Sequence, residues 1–480
     1  MKFIIKLFPE IMVKGTSVKK KMVSQLHDNL RTQLLRLDDS IALKRFWDKI
    51  EVFAPEDKRT PVLKVLTQTP GVEQVLEVSQ SEADTLDEVA KRVADFALPK
   101  IEGKTFVVRV KRSGTHDFSS FDMERYIGGY LLEHGDAKGV DLHHPDYKVE
   151  LEYQQNQVNV IAARHRGLGG FPLGTQGEIL SLMSGGFDST VASYLTIKRG
   201  IKTHFIFFNL GGAAHEIGVK QVALYLWGQY ASSHRVQFVS IPFEGVVEEI
   251  FRSSHEGYMG VMLKRLMLQA SEKIADQMGI DALVTGESVA QVSSQTLRNL
   301  ALIDKATDKL VLRPLAVMDK PDIMRIADEI GTRHFAESMP EYCGVISKNP
   351  VIHGSFKRME REQVRFDYTV LDQAVSEAVF LPVHEIIADV NAQANIEIVN
   401  QVGDETVIDI RRPEEIAARP LSLEGVVHIP FFELNQKFKG LDQSKSYLLY
   451  CEKGVMSQLH AQYLKDNGFD KVKVYRPASS

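Results

Sequence analysis

Residues 178–200 read EILSLMSGGFDSTVASYLTIKRG. The apolar run Glu178 to Met183 predicts a buried strand, and Asp188 to Arg199 a helix, so the turn Ser184–Ser189 delivers backbone amides to a helix N-terminus. Such a turn binds anions, because unsatisfied N–H groups and the helix dipole point at the same place. The spacing lacks the Gly-Lys-Ser/Thr of a Walker loop and the three glycines of a dinucleotide fingerprint. Downstream, Thr203 to Asn209, Val236 to Pro242 and Ala282 to Thr285 read as further strands. Helices are expected between them at Glu216 to Ser233 and Gly257 to Met278. Alternation of this kind predicts a doubly wound parallel sheet with its ligand at the carboxyl ends of the strands.

At 480 residues the chain is too long for one core. With 44% hydrophobic and 25% charged residues, and no apolar run long enough to span a bilayer, it reads as a globular cytoplasmic protein. Lys6, Pro9 and Glu10 interrupt any secretory leader. The only cysteines, Cys343 and Cys451, lack metal-ligand spacing. They are two inert thiols, a transient redox pair, or one nucleophile and a bystander.

The net charge of −5 hides an asymmetry: residues 1–50 hold eleven Lys or Arg against five Asp or Glu. This region reads as a strand, a helix over Met22 to Leu37 and a second strand. From Val62 to His165 comes another α/β region, with helices at Ala83 to Ala97 and Met123 to His134, a strand at Thr105 to Val110, and a last strand, 149–164, bent near Gln155. Lys111, Arg112 and Arg125, with neighbouring arginines, form a basic surface suited to RNA phosphates. Gly167–Gly174 is a glycine-rich boundary.

The segment SGGFDS resembles the signature of the PP-loop ATP pyrophosphatases, which adenylate a carbonyl oxygen, release pyrophosphate, and let a nucleophile displace AMP. On that resemblance Ser184, Gly185, Gly186 and Ser189 hold pyrophosphate, and Asp188 positions Mg2+ or the reacting groups. Asp188 also reads as an ordinary helix cap worth about 1 kcal/mol. Lys320, in RPLAVMDKPDIMRIA, is the second electrostatic candidate. No metal site made of protein ligands alone is assigned.

Together VRVKRSGTHDFSS, GLGGFPLGTQ, LSLMSGGFDS, TGESVAQVSSQTLRNL, RPLAVMDK and EYCGVISKNP resemble the tRNA 4-thiouridine synthetase (tRNA sulfurtransferase) family over essentially the whole chain. The resemblance implies a multidomain α/β protein: a ferredoxin-like domain (1–60), a THUMP tRNA-binding domain (61–165), a PP-loop domain (166–370), a linker (371–395) and a rhodanese-like domain (396–480). It implies ATP contacts at Leu182, Met183, Lys264, Gly286 and Gln295. Independently, Gly286 suits close backbone approach at a strand end, and Leu182 and Met183 offer backbone groups to adenine.

Near the C-terminus the strand SYLLY is followed by Cys451-Glu-Lys-Gly-Val-Met-Ser457 and a helix, which resembles a rhodanese active-site loop. Amides curling around one sulfur, with a helix N-terminus behind it, favour thiolate over thiol and would also stabilise a persulfide. The family implies that Cys451 carries sulfur from a cysteine desulfurase and that Cys343 resolves it through a Cys343–Cys451 disulfide. Its longer members also supply sulfur to the carrier protein of thiamine thiazole synthesis. Other readings are a PP-loop enzyme with a different nucleophile, a non-enzymatic RNA-binding protein, and a thiamine-only sulfur donor.

Overall fold

The computed structural model describes residues 1–114, 116–210, 212–338, 349–386, 396–411, 413–451 and 455–477. Its contacts separate two units, Met1–Thr175 with Lys198–Gly200, and Gln176–Ile197 with Ile201–Ser480.

The first unit holds strands β1 (Lys2–Leu7), β2 (Ala42–Arg45), β3 (Lys49–Phe53), β4 (Val72–Glu82), β5 (Thr105–Ser113), β6 (Gly139–Val140), β7 (Tyr147–Gln154) and β8 (Gln157–Arg166). They form one sheet in the order β2-β3-β1-β4-β8-β7-β5-β6. Apolar residues on consecutive positions make β1 an interior strand: Phe3 and Ile5 join one core cluster, and Ile4 packs with Leu76, Val78 and Ile161 in another. The Thr16–Leu34 helix faces the first cluster with Met22, Val23, Leu26, Leu30 and Leu34, an i, i+4 stripe.

Two readings from sequence are corrected in this unit. A boundary at residue 60 cuts a split βαβ motif. The Arg59–Gln68 helix and the start of β4 complete the N-terminal core through Val62, Leu66, Val72 and Val75. The expected bent strand is a hairpin, with Tyr153 opposite Val158 and Gln154 opposite Gln157. The turn takes Gln155 to φ 56°, a conformation usually marked by Gly or Asn, so nothing in the sequence announced it.

In the second unit β9 (Glu178–Leu182), β10 (Lys202–Asn209), β11 (Gln237–Pro242), β12 (Ala282–Val284), β13 (Leu310–Leu312) and β14 (Val379–Pro382) are ordered β13-β12-β9-β10-β11-β14. β9 to β13 run parallel, and β14 adds an antiparallel edge. The chain winds outward from β9 through β10 and β11, then returns to β12 on β9's other side. The switch point therefore lies between β9 and β12, where a ligand is expected. Residues 371–386, assigned from sequence to a linker, belong to this layer: Leu371, Ala374 and Val375 are core, and β14 pairs with β11. Polar residues around a short apolar stripe disguised them. The rest of that linker, 387–395, lies outside the described residues.

The terminal segment has β15 (Ile398–Val399), β16 (Thr406–Asp409), β17 (Val427–His428), β18 (Tyr447–Tyr450) and β19 (Val472–Tyr475), all parallel, ordered β15-β19-β18-β16-β17. Its switch point falls between β16 and β18. Phe431 of this segment packs 5.1 Å from Phe335, ring centre to ring centre. No helix among the described residues is long and apolar enough to cross a membrane.

Candidate active site

After Leu182 the chain turns into the Phe187–Lys198 helix with Gly185 at φ 82°, a left-handed conformation that costs glycine nothing. The Ser189 hydroxyl organises the turn. It accepts from the Ser184 amide at 3.1 Å, lies 3.1 Å from Ser184 Oγ, and donates to the Gly186 carbonyl at 3.3 Å. Beside it, the continuation of β12 passes directly against the loop. A Cβ on Gly286 would stand 2.5 Å from both the Asp188 carbonyl carbon and the Ser189 amide nitrogen. Only glycine permits that approach.

Lys320 Nζ donates to both Asp188 carboxylate oxygens, at 2.9 and 3.1 Å, and Gln291 Nε2 donates to Oδ2 at 3.0 Å. Asp188 thus holds partners far away in sequence instead of acting as a local cap. The Lys320 ammonium also sits 5.4 Å from the centre of the Phe187 ring. This places a cation and a carboxylate at the mouth of an amide-lined turn.

Leu182, Met183, Ser184, Gly186, Asp188, Ser189, Lys264, Gly286, Gln295 and Lys320 line one cavity of about 400 Å³. Gly185 shapes the turn without lining it. The opposite wall is apolar, with Phe207, Phe208, Val261 and Leu263, a surface fitted to a flat ring. Gln295 is buried, and its side-chain oxygen has no protein partner among the described residues, which leaves an acceptor for a ligand.

Sequence reasoning missed Glu287, Arg313, Gln291 and His215. Buried Glu287 accepts from Lys264 Nζ at 2.7 Å, Arg313 Nε at 2.9 Å and Thr285 Oγ1 at 3.1 Å. Burial pushes its carboxyl up, but the charges and hydrogen bonds of Lys264 and Arg313 outweigh this and hold it below the usual carboxylate range. Glu287 therefore fixes the direction of Lys264 in the cavity wall. His215 packs edge-on to Phe207, 4.8 Å between ring centres, and burial lowers its pKa despite a hydrogen bond with the Ser184 backbone. A carboxylate directly after Gly286 was a readable signal; Gln291, Arg313 and His215 gave none.

A second centre follows β18. Cys451, 8% exposed, receives the Ser457 amide at 3.4 Å and lies 3.4 Å from Ser457 Oγ. Ser457 is in the first turn of the Val455–Asp466 helix. Across the switch point, Asp409 and Arg411 form a buried pair (Nη2 to Oδ2 2.6 Å), with the guanidinium 5.0 Å from the Tyr450 ring centre. Cys343, like 452–454 of the cysteine loop, lies outside the described residues. The nearest described residues flanking the Cys343 segment in the cavity wall are Ala336 and Pro350.

In the first unit Lys111 is exposed on β5, 4.0 Å from Glu152. Arg112 is committed to the Gly114 carbonyl and His116 Nδ1, both at 2.9 Å. Arg125 is exposed beside the ring of Phe121.

Comparison with known proteins adds three family matches: "Thiamine biosynthesis protein (ThiI)" over residues 174–368, THUMP domain over 81–162, and rhodanese-like domain over 392–477. A tRNA sulfurtransferase of Tolumonas auensis is 48% identical over 483 residues, covering 99% of this chain and 100% of the relative. One from Aliivibrio fischeri (strain MJ11) is 51% identical over 482 residues, with the same coverage. The crystal structure of a 4-thiouridine synthetase–RNA complex with bound ATP superposes with TM-score 0.70 at 24% identity, covering 79% of this chain and 99% of that one. At that identity it shows the shared fold.

Proposed function

The chain belongs to the tRNA sulfurtransferase family, and from that premise we propose that it uses magnesium–ATP to convert a tRNA uridine, position 8 by family likeness, to 4-thiouridine through a persulfide on Cys451. One observation carries the reading. A phosphate-loop cavity and a cysteine cradled by a helix N-terminus occupy the switch points of two parallel sheets on the same chain.

Uridine O4 attacks the α-phosphorus of ATP; the new O–P bond replaces the bond to pyrophosphate, and N3 gives up its proton. Ser184, Gly186 and Ser189 hold the departing pyrophosphate, while Lys320 and Asp188 balance charge where it develops. Apart from Asp188, the cavity's only carboxylate among the described residues is Glu287, which is saturated by cations, and no cluster of three metal-ligating side chains occurs among them. Asp188, on opening its pair with Lys320, and the nucleotide phosphates would hold magnesium, which would screen the phosphate charge. The terminal sulfur of the Cys451 persulfide then attacks C4 and AMP leaves. Cys343 thiolate attacks Cys451 Sγ, breaking the S–S bond to the product. The thiouridine is released, and the two cysteines are oxidised to a disulfide that a thiol reductant must reopen before the next turnover. The exposed basic residues Lys111 and Arg125, with Arg112, are assigned to tRNA phosphates, and a cysteine desulfurase to sulfur supply, in the cytoplasm. The family description covering 174–368 favours a second output, sulfur passed to the carrier protein of thiazole synthesis.

The test is incubation of unmodified tRNA transcript with the protein, magnesium–ATP, a cysteine desulfurase, cysteine and reductant. Near-ultraviolet absorbance of thiouridine and release of AMP with pyrophosphate should appear together. AMP release without thiouridine would overturn the assignment of sulfur as nucleophile.

A further inference from the structure

The tip of the β2–β3 hairpin reads Lys44-Arg-Phe-Trp-Asp-Lys49, and its two aromatic side chains are not in any core. Trp47 is 70% exposed and Phe46 is 40% exposed. An isolated exposed apolar residue is ordinary. Two adjacent aromatics at a hairpin tip, each under a lysine, are not. Lys19 Nζ lies 5.2 Å from the Trp47 ring centre, and Lys49 Nζ lies 5.0 Å from that of Phe46. Lys19 comes from the Thr16–Leu34 helix, which packs beside β2 and continues the basic surface through exposed Lys20 and Lys21. Lys44 and Arg45 are exposed as well. Against them the tip itself carries one carboxylate, Asp48, while Lys49 is paired with Glu51 at 2.9 Å. The patch is strongly cationic with a flat aromatic centre.

Resting on the tRNA reading above, we infer that Trp47 is a stacking platform for an unpaired base of the bound tRNA, with Lys19, Lys20 and Lys44 neutralising the adjoining phosphates. Charge complementarity selects the occupant. A protein surface docking on Phe46 and Trp47 would have to desolvate the surrounding ammonium groups, whereas a nucleotide brings a π-face for the indole and an anion for the lysines together. The Lys19 ammonium lies over the ring, an exposed cation–π contact.

Binding of full-length protein to tRNA transcript tests this, measured at two salt concentrations and by quenching of tryptophan emission. Trp47→Ala should weaken binding roughly tenfold, within the range of one lost base stack. Trp47→Phe should keep affinity within about threefold. The chain has two tryptophans, so tRNA should quench wild-type emission and lose that component in Trp47→Phe although binding persists. Because Trp47 is exposed, the thermal melts of both variants should match wild type. Unchanged affinity in Trp47→Ala overturns the inference alone, as does a change confined to the sedimentation of the free chain, which would make the patch a contact between copies. Failure of the wild type to bind tRNA overturns the functional reading with it.

Discussion

The nucleotide cavity and the Cys451 loop are built on one plan and solve different electrostatic problems. Each lies where a parallel sheet reverses its winding, at the carboxyl end of a strand that feeds a helix. The cavity must hold a polyanion whose charge moves during reaction, and it surrounds its turn with full charges: Lys320 on Asp188, and Lys264 with Arg313 on Glu287. The cysteine loop must hold one sulfur. Among the described residues beside it, Asp409 and Arg411 neutralise each other in a buried pair, and the Ser457 amide at the helix end faces the thiol. The same scaffold therefore becomes a phosphate site or a sulfur site according to whether its charged pairs line the cavity or are buried beside the loop.

The largest effect should come from removing the sulfur. Cys451→Ala is expected to abolish thiouridine formation to the limit of detection while ATP is still cleaved to AMP in the presence of tRNA. Loss of both activities together would break the separation of the two centres. Next, Asp188→Asn should lower AMP release by about 10²- to 10³-fold, the usual cost of one transition-state electrostatic partner. Persulfide loading of Cys451 by a desulfurase should be unchanged, as read by a persulfide-selective alkylation assay. A smaller effect is expected for Gly286→Ala, because the new methyl lies 2.5 Å from loop backbone. The loop must move, and overpacking of about 1–3 kcal/mol should appear as roughly ten- to hundredfold weaker magnesium–ATP binding by calorimetry.

The comparison also shows what a sequence displays. The turn at 184–189 was legible because an anion site needs glycines and hydroxyls in a fixed order between strand and helix, and Cys451 because its loop follows an apolar strand. Gly286 was legible as a strand-end glycine, although its partner, the Asp188–Ser189 peptide, belongs to a different strand and appears only in three dimensions. Gln291 and Arg313 were not, since their partners lie 103 and 26 residues away. The eight-strand order of the N-terminal sheet was missed for a similar reason: β4 serves two cores, and a cut at 60 falls inside the helix that leads into it. Cys343, read from its family segment, lies outside the described residues.

The smallest effect sharpens the sulfur side. His460 sits in the Val455–Asp466 helix behind the cysteine loop, fully buried near the Phe431 ring, and burial lowers its pKa to about 4. An unfolded histidine titrates near 6.5, so below that pH the unfolded chain takes up a proton that the folded one refuses. The terminal domain therefore keeps the full contribution above about pH 6.5 and loses it as pH falls toward 4. By pH 5 the loss is about 2 kcal/mol, or roughly thirtyfold in opening. In a Cys343→Ser chain Cys451 is the only thiol, and at 8% exposure it reacts with a thiol reagent chiefly when its domain opens. The labelling rate, divided by that of the Cys343→Ser, His460→Gln chain to remove the thiol's own pH dependence and normalised at pH 7, should rise about twentyfold by pH 5. A flat ratio would mean that His460 accepts its proton in place, and that the helix behind Cys451 carries a positive charge the dipolar account leaves out.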